Sequence, residues 1–357
     1  MSKKIISDLL VGLVAICAGL SVSVTAGEPT PLFASDEPIK AVLSAPVTQA
    51  YKDKMKEERL YLEGSWAHKQ AEQTERLSVK IRARGNYRRK KCAWPPLQLN
   101  FKKKEVEGTL MAGQDKLKMV NPCKSGDKYQ QLLYLEYTLY QLFALYSDYH
   151  FRVRPVELAY ADTGEKEQRW ESGNFLIEDT DHMAERYDLK EVEITASMRK
   201  QMDLGQTALV EIFQFMIGNV DYSTLKSPPG EDCCHNIKLI APEGAETGFI
   251  PVAYDFDSAG IINAPYATVP DSVPIQDVST RYFLGWCKEE KRYRQAVELV
   301  NERRDQAMAL FEESPLLSKT YKKKATKYLE RSYDFINGEG TFKRKILDRC
   351  RGDVIPG

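Results

Sequence analysis

The sequence predicts an α+β fold in two lobes: a β-rich lobe with one main helix, then a mostly helical lobe. Three observations predict it. Leu77, Val79, Ile81 and Ala83 alternate with polar residues, the period of a half-buried strand. Tyr129, Leu132, Leu133, Glu136, Tyr137, Tyr140 and Phe143 recur at three- and four-residue spacing, the period of a helix. Helical patterns then dominate the second half, at 204–217, 288–313 and 318–337. A chain of 357 residues is also too long for one small core.

Taken in order, residues 1–26 form a signal peptide. Lys3 and Lys4 give a basic start, residues 9–20 are apolar, and Val24-Thr25-Ala26 offers small residues for cleavage. The apolar run falls short of the roughly 20 residues of a membrane span. Ile16 before Cys17 does not suit a lipoprotein cleavage site. The expectation is an exported protein, periplasmic or secreted, with no stable membrane span after cleavage.

Residues 27–76 read as a leader and charged segment: 27–50 are rich in Pro, Ala and Ser, and 51–73 are highly charged with partial helical character. Residues 77–179 form the β-rich lobe. Its first strand ends at the turn signal Gly85-Asn86. Leu97, Leu99 and Phe101 mark a second strand, Leu117 and Met119 a short third. After the main helix, 151–160 and 169–178 read as strands joined across Asp162-Thr163-Gly164. Residues 180–357 form the helical lobe, in which 204–217 is an apolar helix leading into Gly218. Two short strands, 236–240 and 249–254, bracket a polar turn.

Charge is balanced at 51 Lys+Arg against 51 Asp+Glu, and loss of the leader removes only Lys3, Lys4 and Asp8. Such a balance gives no electrostatic case for nucleic acid or an anionic membrane. Cys92, Cys123, Cys233, Cys234, Cys287 and Cys350 remain after cleavage. An even number in an oxidising compartment predicts disulfides with the pairing left open, and one of the adjacent cysteines is expected to pair with a distant partner. Cys233-Cys234-His235 has no zinc-site spacing.

Chemistry concentrates between Gly218 and Gly260. Asp221 follows an apolar helix in a turn, where a carboxylate can project into a cleft. Asn236 opens a strand after a loop, and its amide oxygen suits a hard cation. Asp255 and Asp257 flank Phe256 at the mouth of an apolar strand, as a Mg²⁺ site needs. Each residue alone also fits an ordinary polar turn. Their order is what phosphoryl transfer requires: one carboxylate to orient a hydroxyl, then an amide and a carboxylate to hold the metal.

The pattern Asn219-x-Asp221, His235-Asn236, Tyr254-Asp255-Phe256-Asp257 resembles the active-site segment of the spore-coat CotH kinases and, more remotely, the HipA-type kinases. Arg84-Gly85-Asn86 and Pro96-Leu97-Gln98-Leu99-Asn100-Phe101 are similar to the start of a CotH domain. The resemblance spans residues 77–266 and implies a protein-kinase-like two-lobe fold using ATP with Mg²⁺ or Mn²⁺. It implies Asp221 as the catalytic residue, Asn236 and Asp255 as metal ligands, and Asp257 as an assisting ligand or a support of the turn. Arg84, Gly85 and Asn86 then approach the phosphates. Where that family carries a lysine this chain has Asn100; Lys102 on the same strand face is the candidate replacement, and Glu136 the candidate partner of such a lysine.

Two departures stand out. The kinase catalytic loop places its Asn five residues after its Asp, whereas residues 222–235 intervene here. Asn100 replaces the expected lysine. The sequence therefore supports an exported kinase-like phosphotransferase acting on a hydroxyl of a protein, such as an envelope protein, or of a small molecule. It also leaves open a catalytically degenerate binding or envelope-structural protein, and a metal-assisted hydrolase.

Overall fold

Seven strands close into a barrel. The computed structural model describes residues 27–70, 73–165, 167–228, 230 and 232–355, so the expected signal peptide and Pro229 lie outside the described residues. The strands are β1 (Ile39–Ala45), β2 (Leu62–Gln70), β3 (Gln73–Ala83), β4 (Leu97–Asn100), β5 (Lys116–Val120), β6 (Val153–Asp162) and β7 (Arg169–Ile177). Around the barrel they run β1-β2-β3-β4-β5-β7-β6. Neighbours are antiparallel except β1 and β6, which are parallel over Ile39↔Val156 to Ala45↔Asp162.

Alternation decides which side chains fill the interior. Leu77, Val79 and Ile81 of β3 point inward with Leu43, Trp66, Leu99 and Met119. Trp66 meets Phe101 edge-on at 6.5 Å. Side chains one residue out of step, including Arg82, Gln98 and Lys118, stand on the outer face.

This closed mixed barrel, with nine α-helices among the described residues, overturns the expected protein-kinase-like two-lobe fold with one main helix. The reason lies in the segment read as a leader. Residues 27–76 supply β1 and β2, and β1 bonds to both β2 and β6, so the sheet has no free edge. Ile39, Ala41, Leu43 and Ala45 do alternate inward, but two of the four are alanines, and β2 mixes Gly, Ser, His and Lys among its apolar residues. Only pairing with β6, more than a hundred residues away, fixes β1 as a barrel strand.

The helices are α1 (Val47–Lys52), α2 (Tyr87–Lys91), α3 (Asp127–Tyr146), α4 (Thr180–Glu185), α5 (Leu204–Ile217), α6 (Glu290–Glu302), α7 (Arg304–Glu312), α8 (Lys319–Asn337) and α9 (Glu339–Lys345). Asp203 starts α5 by accepting the Gln206 N–H at 2.7 Å, a standard N-cap. Helix α3 joins the barrel to a second core: Tyr140 packs 5.7 Å from Phe175 of β7, and Phe143 packs 4.9 Å from Phe213 of α5.

Against α5 lies a small sheet of β8 (Lys190–Glu191), β9 (Ile237–Ala241) and β10 (Ile250–Ala253), in the order β10-β9-β8. Near the C-terminus, β11 (Trp286–Lys288) pairs parallel with β12 (Arg351–Ile355). No helix of the described residues is long and apolar enough to cross a membrane.

The six described cysteines form three pairs: Cys92–Cys123, Cys233–Cys234 and Cys287–Cys350. The adjacent cysteines bond to each other, which corrects the expectation of a distant partner for one of them.

Candidate functional site

Two glycines bring the two halves of the site together. Helix α5 ends at Gly218, whose φ of 70° is left-handed, and the Gly260 N–H donates to the Gly218 carbonyl at 3.0 Å. A Cβ on Gly260 would lie 2.4 Å from the Val278 carbonyl oxygen, and one on Gly218 only 2.0 Å from the Tyr328 hydroxyl. Only glycine permits such an approach. The turn after α5, carrying Asp221, is thereby held beside the segment carrying Asp255 and Asp257.

Asn219 shapes that turn, its Oδ1 accepting the Asp221 N–H at 2.9 Å. Opposite, β9 and β10 form a hairpin with Ile237 facing Ala253, so Asn236 and Asp255 flank its open end. Both residues have positive φ, 53° and 58°, a region that Asn and Asp tolerate better than most.

The long gap between Asp221 and Asn236 closes on itself. The Ser223 N–H donates to the His235 carbonyl at 2.9 Å, so the two ends of the excursion meet, and Ser227, Asp232, Cys234 and His235 within it help line the cleft. Asn236 Nδ2 then donates to the Asp221 carbonyl at 2.6 Å and to its carboxylate at 3.3 Å. His235 Nε2 lies 2.8 Å from Asp221 Oδ1. Burial pushes the Asp221 carboxyl up, but hydrogen bonds from His235, Ser258 and Asn236 outweigh it and hold the group below its usual value. Asp221 is therefore a charged acceptor at neutral pH.

Phe256 anchors the next turn. Fully buried, its ring packs 4.8 Å from Tyr140 and 5.5 Å from Phe213, and the Asp255 N–H donates to the Tyr140 hydroxyl at 2.9 Å. Asp257 is buried and faces Arg88, with Oδ2 3.7 Å from Nε. Burial and the charge of Asp255 push Asp257 up to about 7 against the pull of Arg88. Its Oδ2 has no hydrogen-bond partner among the described residues.

The barrel supplies a basic wall. Arg84 and Gly85 follow β3, Asn86 precedes α2, and Lys118 projects from the outer face of β5. With Asp221, Asn236, Asp255 and Asp257 they line one cleft of about 340 Å³. Seven of the nine sequence-predicted site residues thus meet in one place.

The other two fall elsewhere. Lys102 is exposed and bonded to Glu105 at 2.7 Å, away from the cleft lining. Strand β4 stops at Asn100, a 3-10 turn follows at Lys103–Glu105, and the period-two argument no longer applies to Lys102. Glu136 is buried behind the cleft and accepts Arg88 Nη1 at 3.1 Å. Burial raises its pKa while Arg88 opposes the rise. Its partner is an arginine on α2, not the expected lysine.

Sequence reasoning missed Lys118. Burial, with the charge of Arg84, pulls its ammonium down to about 8. The signal was present: Leu117 and Met119 point into the barrel, so Lys118 between them must point out. The Cys92–Cys123 disulfide then links the end of α2 to the segment after β5, which holds Arg88 and Lys118 in one frame.

Among the described residues no group of three or more His, Cys, Asp or Glu side chains is gathered as a ready metal cage. The acidic wall offers two carboxylates, Asp255 and Asp257, and the Asn236 amide oxygen, whose nitrogen is already committed to Asp221. That sparse set, with Asp257 Oδ2 held only by the Arg88 charge at 3.7 Å and by no hydrogen bond, fits a cation that takes its remaining ligands from water and phosphate oxygens, as Mg²⁺ does. Cys233 and Cys234 offer no thiolates to a metal, since they are bonded to each other.

No family model matches this sequence, and no curated protein matches it.

Proposed function

We propose that this chain is an exported phosphotransferase that uses ATP with Mg²⁺ or Mn²⁺ and transfers the γ-phosphoryl group to a hydroxyl of a protein or small molecule. One observation carries the reading: a single cleft sets Arg84 and Lys118 on one wall against Asp221, Asn236, Asp255 and Asp257 on the other. A polyphosphate bound through a divalent cation needs both walls, cations for its oxygens and carboxylates for its metal. The seven-stranded barrel is the scaffold; the kinase likeness extends to the site's chemistry alone.

Asp255, Asp257 and Asn236 would hold the cation, which when bound would neutralise charge on the phosphates. Arg84 and Lys118 are placed to bind phosphate oxygens. Asp221, kept charged, orients the acceptor hydroxyl and takes its proton as the hydroxyl oxygen bonds to the γ-phosphorus. The bond to the β–γ bridging oxygen breaks and ADP leaves. Catalysis then consists mostly of positioning and charge stabilisation. The expected export signal at 1–26 and the three disulfides support an oxidising compartment.

The test is metal-dependent transfer of labelled γ-phosphate, or its release, by the purified protein. Activity lost in Asp255→Ala supports the reading. Nucleotide binding without any transfer supports instead a binding protein on a degenerate site. Release of phosphate from phosphoesters without nucleotide supports a hydrolase.

A further inference from the structure

Beside the cleft lies a cluster of guanidinium groups that the proposed phosphotransfer does not use. Arg59 Nη1 donates to the Ala83 carbonyl at 3.1 Å. Arg89 donates Nε to the Gly85 carbonyl at 2.9 Å and Nη1 to the Lys54 carbonyl at 2.8 Å. Arg82 lies 4.4 Å over the Tyr61 ring. None of the three forms an ion pair with a carboxylate among the described residues. The charged neighbours that bear on Arg59 are Arg89 and Arg82, and burial with their like charges pulls its guanidinium below the usual value.

Like charges held together by backbone carbonyls and an aromatic face, with no ion pair to a carboxylate, are poorly compensated. The cluster also adjoins the cleft directly, because Ala83 and Gly85 bracket Arg84. On the outer face of the barrel, Arg82 pairs in register with Gln98, Gln98 with Lys118, and Lys118 with Ile177. One row of side chains therefore runs from Arg82 to Lys118 and Ile177 in the cleft wall.

We infer that Arg59, Arg82 and Arg89 form a docking shelf for an acidic peptide segment of the acceptor, which presents its hydroxyl to Asp221. The identification of the ligand as the acceptor rests on the phosphotransferase reading; the shelf's preference for carboxylates does not. The three arginines lie outside the cleft lining, so phosphates seated beside Arg84 leave them uncompensated. Guanidinium forks match carboxylates in pairs of parallel hydrogen bonds. Strand spacing of about 4.8 Å puts Arg82 roughly 10 Å from Lys118, which an extended peptide covers in about three residues. A carboxylate held at Arg82 therefore leaves the acceptor hydroxyl within reach of the cleft, and the Gln98 amide between them suits the peptide backbone.

The experiment measures binding of a fluorescent glutamate-rich serine peptide to the full chain, beside the same peptide with glutamine in place of glutamate and beside inorganic tripolyphosphate. Arg59→Gln and Arg82→Gln are the variants, since neither lines the cleft, and a retained melting temperature shows that they fold. The proposal predicts that the glutamate peptide binds, that added salt weakens it, and that each variant weakens it by about tenfold. Equal binding of the glutamine peptide overturns the proposal. So do variants that bind the glutamate peptide as tightly as wild type, or binding of tripolyphosphate but not peptide that is lost in the variants. The melting shift of the wild type with Mg²⁺ and ATP reads the cleft separately: its absence removes the phosphotransferase reading and leaves the shelf to stand or fall on the peptide data.

Discussion

Asn236 donates its amide hydrogen to the Asp221 carbonyl at 2.6 Å, although fifteen residues separate them in sequence. This contact turns two turn residues into one site. The excursion between them is closed by the Ser223–His235 backbone bond, so its length does not move Asn236 away. The same side chain that restrains Asp221 leaves its oxygen for a cation. The proposed general base and the proposed metal ligand are thus mechanically coupled.

Asp221 and His235 give the first prediction. Asp221→Ala is expected to keep metal-dependent nucleotide binding and to lower turnover by about 10²–10⁴. His235→Ala removes the hydrogen bond that helps hold the Asp221 carboxyl low, so that pKa rises. The base must be deprotonated to act, and the acidic limb of the pH–rate profile therefore moves to higher pH. Rate measurements across acidic pH on both variants, with binding followed by thermal shift, check this.

Lys118 gives a pH dependence of stability. Its folded value of about 8 lies below the ordinary lysine value of about 10.4. Between those limits the unfolded chain holds more protons than the folded one, so stability rises with pH across the window. Below about 8 the full cost of the buried charge is present. Lys118→Met is expected to be about 1–2 kcal/mol more stable at neutral pH, allowing for partial solvent screening, and to lose the rise. It should also bind nucleotide more weakly. Urea unfolding at neutral and alkaline pH reads the first effect, nucleotide titration the second.

The Cys92–Cys123 disulfide gives a third. It joins the end of α2, which carries Arg88, to the segment just after the strand that carries Lys118. Cys92→Ser with Cys123→Ser is expected to cost about 2–5 kcal/mol of stability and to weaken nucleotide binding, because the basic wall loses its frame. Melting and binding curves of this double variant, compared with wild type, test both parts; unchanged curves would show that the bond carries no load.

Much of the candidate site was legible in the chain because turn chemistry is local. Asp221, Asn236 and the Asp255–Asp257 pair each follow or precede an apolar run, and such positions project polar groups from the ends of elements. Leu77 to Ala83 and the periodicity of α3 were legible for the same reason. Barrel closure was not, since it depends on β1 finding β6 across most of the first half of the chain. The sequence offers Glu136 as the partner of a lysine, but its partner Arg88 sits in a run of basic residues where nothing local singles it out. Lys102 lies beyond the end of β4, where strand alternation no longer predicts the face of a side chain, whereas the alternation of Leu117 and Met119 does turn Lys118 outward.

The central claim is that the cleft between Arg84 and Asp255 binds a metal–nucleotide complex. A thermal-shift titration with ATP, with and without Mg²⁺ or Mn²⁺, beside Asp255→Ala, tests it most directly. At about 100 times the dissociation constant the bound ligand adds roughly 2.7 kcal/mol of stability, so the account predicts a metal-dependent rise in melting temperature that Asp255→Ala abolishes. A folded wild type whose melting temperature is the same with and without metal and ATP would contradict it.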